Sequence, residues 1–188
     1  MKNKIEIFCT LGPSSLNKKF LKLSEKKIDL LRLNISHIKI ENLERIIKKI
    51  KNYSKLPICI DTEGAQIRTK IKKKINLKIG HKIKFFQKGK VSLYPDIIFS
   101  KIKIGDLLSI GFDGLIIKII KKANNLFYGR AVSKGKLENN KGVTLLNRKI
   151  KLDYLTKKDL KAIKIANKLK IKNFALSFTN SYEDIKKF

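Results

Sequence analysis

The 188-residue chain has no tryptophan, one methionine, two cysteines, three prolines and only 15 acidic residues. Two cysteines cannot build the disulfide framework by which small secreted domains compensate for a meagre core. Cys9 and Cys59 fall at the ends of the first and third expected strands. Next-but-one strands lie about 9–10 Å apart, beyond disulfide reach, so reduced thiols in a cytoplasmic protein are expected. No apolar run is long enough to span a bilayer, and no signal-peptide core precedes a cleavage site; no membrane partner is expected. Length excludes something too, since a complete eight-stranded α/β barrel needs roughly 250 residues.

Arginine is also scarce. Of 45 basic residues only Arg32, Arg45, Arg68, Arg130 and Arg148 are arginines, within a formal charge of +30 and a pI near 10.2. A field of that sign attracts polyanions and steers phosphorylated ligands. Sequence-specific readers of nucleic acid rely on guanidinium forks and aromatic stacking, and the lysines here are spread evenly, alongside abundant Ile and Asn. Genome-composition bias on a solvated surface accounts for that, and no specific nucleic-acid partner is expected. A hydrophobic fraction of 43% excludes a disordered chain.

What is present is an alternation of strands and helices. Lys4–Thr10 is strand-like and Gly12-Pro13 turns the chain. Ser14 or Ser15 then caps a helix with Leu16, Phe20 and Leu23 on its apolar positions. A second strand, Asp29–Asn34, precedes a helix with Ile40, Leu43, Ile46, Ile47 and Ile50 on one face; a third strand is Pro57–Asp61. From Thr69 to Lys149 helical periodicity disappears, and short alternating stretches (82–86, 107–110, 115–120, 127–132, 142–145) predict a small inserted β-barrel or sandwich. The α/β rhythm then resumes. Thr156 with Asp159 and Ser181 with Asp184 read as capping boxes, around a fourth strand at Asn173–Phe178. The fold class expected is α/β: four βα units of a (β/α)8 barrel over 1–69 and 150–188, with an all-β lid over 70–149.

In parallel α/β architectures functional groups gather where strands end. The second strand ends in Arg32-Leu-Asn-Ile-Ser-His37 and the third in Asp61-Thr-Glu-Gly64, with Arg68 four residues on. Asn34, Ser36, Asp61 and Thr62 offer an all-oxygen ligand set suited to a hard cation. Arg32 and Arg68 beside it suit a phosphoryl group. Taken singly, either loop reads more readily as a helix cap; their convergence on one βα face favours a site.

Cys9-Thr-Leu-Gly-Pro-Ser-Ser15, Arg32-Leu-Asn-Ile-Ser-His37, Asp61-Thr-Glu-Gly-Ala-Gln-Ile-Arg-Thr69, Lys141-Gly-Val143 and Ala175-Leu-Ser-Phe178 resemble pyruvate kinase in order and spacing, and the β insertion falls where that family carries its lid. The resemblance implies transfer of a phosphoryl group from phosphoenolpyruvate to ADP, giving pyruvate and ATP in glycolysis, with Mg2+ and K+. It implies that Arg32 contacts the transferring phosphoryl group and acts in catalysis. Asn34, Ser36, Asp61 and Thr62 would hold K+. Asn34, Ile35, Ser36, His37, Arg68 and Lys141 would approach the nucleotide, and a lid hinged near 69–70 and 149–153 would exclude water.

Several positions depart from the family pattern. Glu63, Ala65 and Gln66 stand where it has Lys, Pro and Glu. Glu63 is expected to weaken anion binding. Ile38 replaces a glycine, and a β-branched residue resists φ > 0. Phe112 replaces the first Asp of an Asp-Asp-Gly, and Asn180 an arginine. The family's catalytic lysine, Mg2+ ligands and catalytic threonine come from later strands and map to nothing here. A partial chain inactive alone is therefore expected, with sheet edges at Ile5, Ile7 and Phe174–Phe178 open to a homo-oligomer or a complementary half-chain. The alternatives are a non-catalytic half-barrel acting as a binding or assembly module and, on charge alone, a basic nucleic-acid binder.

Overall fold

The computed structural model describes residues 5–188. The chain forms two compact units, one running up to Ala65 and resuming at Asp153–Phe188, the other Gln66–Leu152. In chain order the first unit contributes β1 (Phe8–Thr10), α1 (Lys18–Ser24), β2 (Leu30–Asn34), a 3-10 turn at Ile35–His37, α2 (Ile40–Tyr53) and β3 (Ile58–Asp61). The second unit follows: β4 (Ile67–Ile71), β5 (Ile75–Leu77), β6 (Lys82–Phe86), β7 (Val91–Tyr94), α3 (Ile98–Lys101), β8 (Leu107–Ile110), β9 (Leu115–Ala123), β10 (Leu126–Ala131), β11 (Gly135–Leu137) and β12 (Gly142–Leu145). The first unit then closes with α4 (Lys157–Lys168), β13 (Asn173–Ala175) and α5 (Tyr182–Lys187).

In the first unit four parallel strands lie in the order β1-β2-β3-β13, the start of an α/β barrel. Leu31, Leu33, Ile58 and Ile60 turn to one face and meet Leu21, Leu43, Ile47, Ile50, Ala162 and Ala166 from the helices, all but Ile58 essentially without solvent exposure. The 3.6-residue spacing of Leu43, Ile47 and Ile50 is what lays α2 on the sheet. Fully burying each such side chain stabilises by about 1.5–3 kcal/mol, so this layer fixes which strand face is left for chemistry. Both capping boxes form, Thr156 with Asp159 and Ser181 with Asp184.

Two local expectations are corrected. The cap of α1 is Asn17, whose side chain accepts the Phe20 N–H at 2.9 Å. Ser15 instead closes the preceding turn, its hydroxyl accepting from Gly12 N at 2.8 Å. With the helix starting later, Leu21 and Ser24 turn inward and Leu23 stays 58% exposed. The fourth strand ends at Ala175, because Phe178 adopts φ 53° and breaks the extended run. Lys4, the expected start of the first strand, lies outside the described residues. Among those described, pairing begins at Phe8, after the Asp29 carboxylate accepts the Ile7 N–H at 2.8 Å.

The second unit is a nearly closed antiparallel barrel, order β6-β10-β9-β8-β12-β4-β7, with β6 and β7 lying against each other and β5 paired to β11 alongside. Phe85, Phe99 and Phe127 form its centre, with ring centroids 4.9–5.0 Å apart. Arg148 grips Asp106 through two 2.7 Å bonds. β4, β5, β7, β11 and the short α3 are elements the sequence reading does not separate out.

Candidate functional site

Partnered residues in a parallel ladder project to the same face, as do residues two apart. The registers Thr10↔Arg32, Arg32↔Cys59, Asn34↔Asp61 and Ala175↔Asp61 therefore gather Thr10, Arg32, Asn34, Cys59 and Asp61 on the face opposite the helices. Cys9, partnered with Leu31, is on the helix side, so the two thiols point to opposite faces and both are free.

The contacts bear out that geometry. Arg32 donates to Asp61 Oδ2 from Nε at 3.1 Å and Nη2 at 2.6 Å, and to Thr10 Oγ1 from Nη1 at 3.2 Å. Asp61 is 2% exposed while the Arg32 side chain keeps 40% of its surface. The carboxylate thus anchors a guanidinium that still reaches solvent. Ser177 Oγ donates to Asp61 Oδ1 at 2.6 Å, and Ser177 N donates to Thr62 Oγ1 at 3.0 Å. Asn34 Oδ1 accepts the Ser36 N–H at 2.9 Å, folding the 3-10 turn back on the strand end. Burial pushes the Cys59 thiol upward, the Asp61 charge adds to that, and Arg32 partly offsets it. Cys59 is a packed thiol, not a nucleophile.

A cavity of about 910 Å³ opens beside these strand ends, with Thr10, Arg32, Asn34, His37, Lys39 and Asn42 as its polar lining and Pro13, Leu16, Ile38 and Ile46 among its apolar walls. Ile35 is 1% exposed and packs in the core. Ile38 sits at φ −111°, in extended backbone, and the expected conflict with a left-handed position does not arise.

The loop after β3 is held from α4. Asp159, fully buried, accepts Glu63 N at 2.7 Å, Gly64 N at 3.2 Å and Thr156 N at 2.7 Å. The Glu63 carboxylate accepts from Lys158 Nζ at 2.9 Å and Thr156 Oγ1 at 3.2 Å. The acidic residue expected to oppose an anion is therefore paired inside the chain. Gly64 has φ 65°, and a Cβ there would sit 1.8 Å from the Ser177 carbonyl oxygen; the β3 and β13 ends touch backbone to backbone.

Arg68 and Lys141 belong to the second unit. Arg68 is opposite Gly142 in the β4–β12 ladder, its Nη1 donating to Asn140 O at 3.3 Å. Lys141 Nζ lies 3.3 Å from Glu138, and its N–H donates to Thr69 Oγ1 at 2.8 Å. Sequence reasoning missed Thr10, Lys158 and Asp159 as supports of the strand ends. Ser177 sat inside a quoted motif without a role.

Among the described residues no group of three or more His, Cys, Asp or Glu side chains is placed to hold a metal ion. For K+ the donor chemistry fits: Asn34 and Asp61 are register partners carrying neutral and anionic oxygens, with Ser36 bonded to Asn34. The Thr62 hydroxyl donates to Ala175 O at 3.3 Å and accepts from Ser177, so it offers a cation one remaining hydroxyl lone pair and its carbonyl.

A parallel βα sheet interrupted after its third strand by an antiparallel barrel, with an arginine–aspartate pair at the strand ends, defines an α/β-barrel protein carrying an inserted β unit. The family profile described as "Pyruvate kinase, barrel domain" matches residues 2–188. The chain belongs to the pyruvate kinase family. It is 30% identical to the pyruvate kinase of Methanocaldococcus jannaschii over 99% of this chain and 40% of that one. To the Geobacillus stearothermophilus enzyme it is 31% identical over 98% of this chain and 34% of the other. The crystal structure of Cryptosporidium parvum pyruvate kinase superposes with a TM-score of 0.86 at 26% identity, covering 97% of this chain and 41% of that one. The chain thus spans about two-fifths or less of the length of these relatives.

Proposed function

We propose that this chain supplies the first strand ends of a pyruvate kinase-type phosphotransferase site, where phosphoenolpyruvate and ADP give pyruvate and ATP. The observation that carries the reading is the Arg32–Asp61 pair: a buried carboxylate aims a half-exposed guanidinium beside a cavity of about 910 Å³. Arg32 binds the transferring phosphoryl group and Asp61 fixes its orientation, which matters because such transfer depends on positioning and charge neutralisation. Asn34, Ile35, Ser36 and His37 are the first unit's nucleotide contacts.

K+ would be held by Asn34, Ser36, Asp61 and Thr62, and would supply fixed positive charge near the phosphoryl oxygens. The Mg2+ ligands, the catalytic lysine and the catalytic threonine are assigned to polypeptide outside these 188 residues, in a complementary chain or segment.

A second reading is a half-barrel that binds or assembles without catalysis. What favours it is the occupancy of Asp61, which already accepts two bonds from Arg32 and one from Ser177. The two readings separate on mixing this chain with the remaining barrel segment of the Geobacillus stearothermophilus enzyme and following pyruvate through lactate dehydrogenase. Pyruvate formed only in the mixture, dependent on K+ and lost in Arg32→Ala, supports catalysis. Co-elution of the two pieces with no pyruvate leaves the assembly module, and turnover by the chain alone would refute its incompleteness.

A further inference from the structure

The basic residues are shared almost evenly between the units, but the acidic ones are not. Gln66–Leu152 holds 22 of the 45 Lys and Arg residues but only four of the 15 Asp and Glu residues. Asp106 of those four is buried and gripped by Arg148, and Glu138 is paired with Lys74 and Lys141. None of the four lies on β6, β9 or β10.

Those three strands carry an ordered outward face. Ile83, Phe85, Phe127, Gly129, Ile117 and Ile119 point inward and are buried, so their neighbours point out. The ladders align Lys82, Arg130 and Lys118 in one row and Lys84, Tyr128 and Lys121 in the next, followed by Phe86 and Leu126. A register shift between Tyr128 and Gly129 is what brings Lys121, rather than Ile120, opposite the ring. The Lys84 and Lys121 ammonium groups lie 5.5 and 5.9 Å from the Tyr128 ring centroid, one from each flanking strand. Phe86 beyond is 37% exposed.

Strands about 4.8 Å apart place the two outer lysine columns about 10 Å from each other, with successive rows about 7 Å along the strand. Two cationic columns with the Tyr128 ring between them, and Phe86 at the end of the β6 column, are an arrangement that takes a single nucleic-acid strand, phosphates on the cations and bases on the rings. A small phosphorylated metabolite would need a concave site rather than the outside of a barrel, and a bilayer would need a continuous apolar face, whereas Phe86, Leu126, Ile116, Ile120 and Val132 are interleaved here with five cations. We infer that the outer face of β6, β10 and β9 binds single-stranded nucleic acid without sequence preference, a property separate from phosphotransfer. Lysine rails lacking further arginine forks fit that indifference to sequence.

The test is fluorescence anisotropy of a fluorescein-labelled 15-nucleotide oligouridylate titrated with the whole chain from 50 to 300 mM NaCl. With five cations engaged, the log–log salt slope is expected near about −3.5, at roughly −0.7 per phosphate. Lys84→Glu/Lys121→Glu is expected to weaken binding about tenfold or more at 100 mM and to flatten the slope by about 1.4. Tyr128→Leu is expected to weaken it about five- to tenfold with the slope unchanged, as lost stacking does. Lys161→Glu/Lys164→Glu, the same charge change on the exposed face of α4, is expected to change affinity less than threefold. Melting temperatures of all variants check that the exposed substitutions leave the fold intact. No saturable binding at 100 mM, an equal loss in the α4 control, or an unaffected Tyr128→Leu would overturn the proposal. Binding to vesicles containing phosphatidylserine in place of the oligonucleotide, with the same variant sensitivity, would overturn it in favour of a membrane surface.

Discussion

Ser177 Oγ donates a 2.6 Å hydrogen bond to Asp61 Oδ1, on the carboxylate oxygen that Arg32 leaves unused. One buried carboxylate thus joins three strands: β2 through the arginine, β3 through its own backbone and the end of β13 through the serine. Hydrogen bonds to charged groups contribute about 1.5–3 kcal/mol. Ser177→Ala is accordingly expected to lower the stability of the first unit by about that amount in urea titration. An unchanged midpoint would show that the bond is dispensable.

Gly64 and Gly80 form a natural control pair. Both have positive φ, 65° and 85°, but a Cβ on Gly64 meets the Ser177 carbonyl at 1.8 Å while one on Gly80 meets nothing within 4 Å. Gly80→Ala should cost only the left-handed backbone penalty of about 1–2 kcal/mol. Gly64→Ala must in addition part β3 from β13. We expect it to cost several kcal/mol more, read as a much lower melting temperature or loss of the folded chain.

The Glu63–Lys158 pair predicts a coupled response. Its members have side-chain exposures of 8% and 24%, so removing either leaves a poorly solvated charge. Glu63→Lys alone should destabilise by roughly 1–3 kcal/mol, since it sets two ammonium groups together. The double change Glu63→Lys/Lys158→Glu should recover most of that loss. A cycle with no coupling would show that the 2.9 Å contact contributes nothing to stability.

Asp106 gives a pH dependence for the second unit. Burial raises its carboxyl, but the Arg148 hydrogen bonds, the Lys103 N–H and both neighbouring charges outweigh burial and hold it below the usual carboxylate value. A depressed folded-state pKa means stability that is present above the unfolded value of about 3.9 and lost as pH falls through the lower folded one. Melting followed from pH 7 to pH 2 should therefore show a decline beginning near pH 4. Asp106→Asn should be less stable at pH 7 and show a shallower decline. Equal slopes in the two proteins would exclude this pair as the source.

Much of the architecture was legible because it rests on periodicity. Helix α2 announces itself through Leu43, Ile47 and Ile50, and the strands 82–86, 107–110 and 142–145 through alternation bounded by turn residues. β4 alternates as regularly as β6 but follows directly on the loop motif that begins at Asp61, which masks its start; β7 is not legible because Ser92 and Leu93 are both buried and its alternation is broken. The cap of α1 was misassigned because Ser14, Ser15 and Asn17 are all competent caps. Only the turn that Ser15 closes on Gly12 decides among them.

The strand-end residues divide in the same way. The sequence by itself determined that Asn34 and Asp61 end their strands and that Arg32 lies two residues before Asn34 on the same strand face, since strand period and turn chemistry are local properties of the chain. It also determined the charge, which is simple addition. Only the tertiary structure decided that Asp61 faces both Arg32 and Ser177, that Glu63 turns to Lys158, and that lysines 84 and 121 flank one tyrosine ring. Those pairings join residues 29 to 116 positions apart in four of the five cases. They depend on strand register, which is set by how a whole buried face packs and not by any segment of the chain alone.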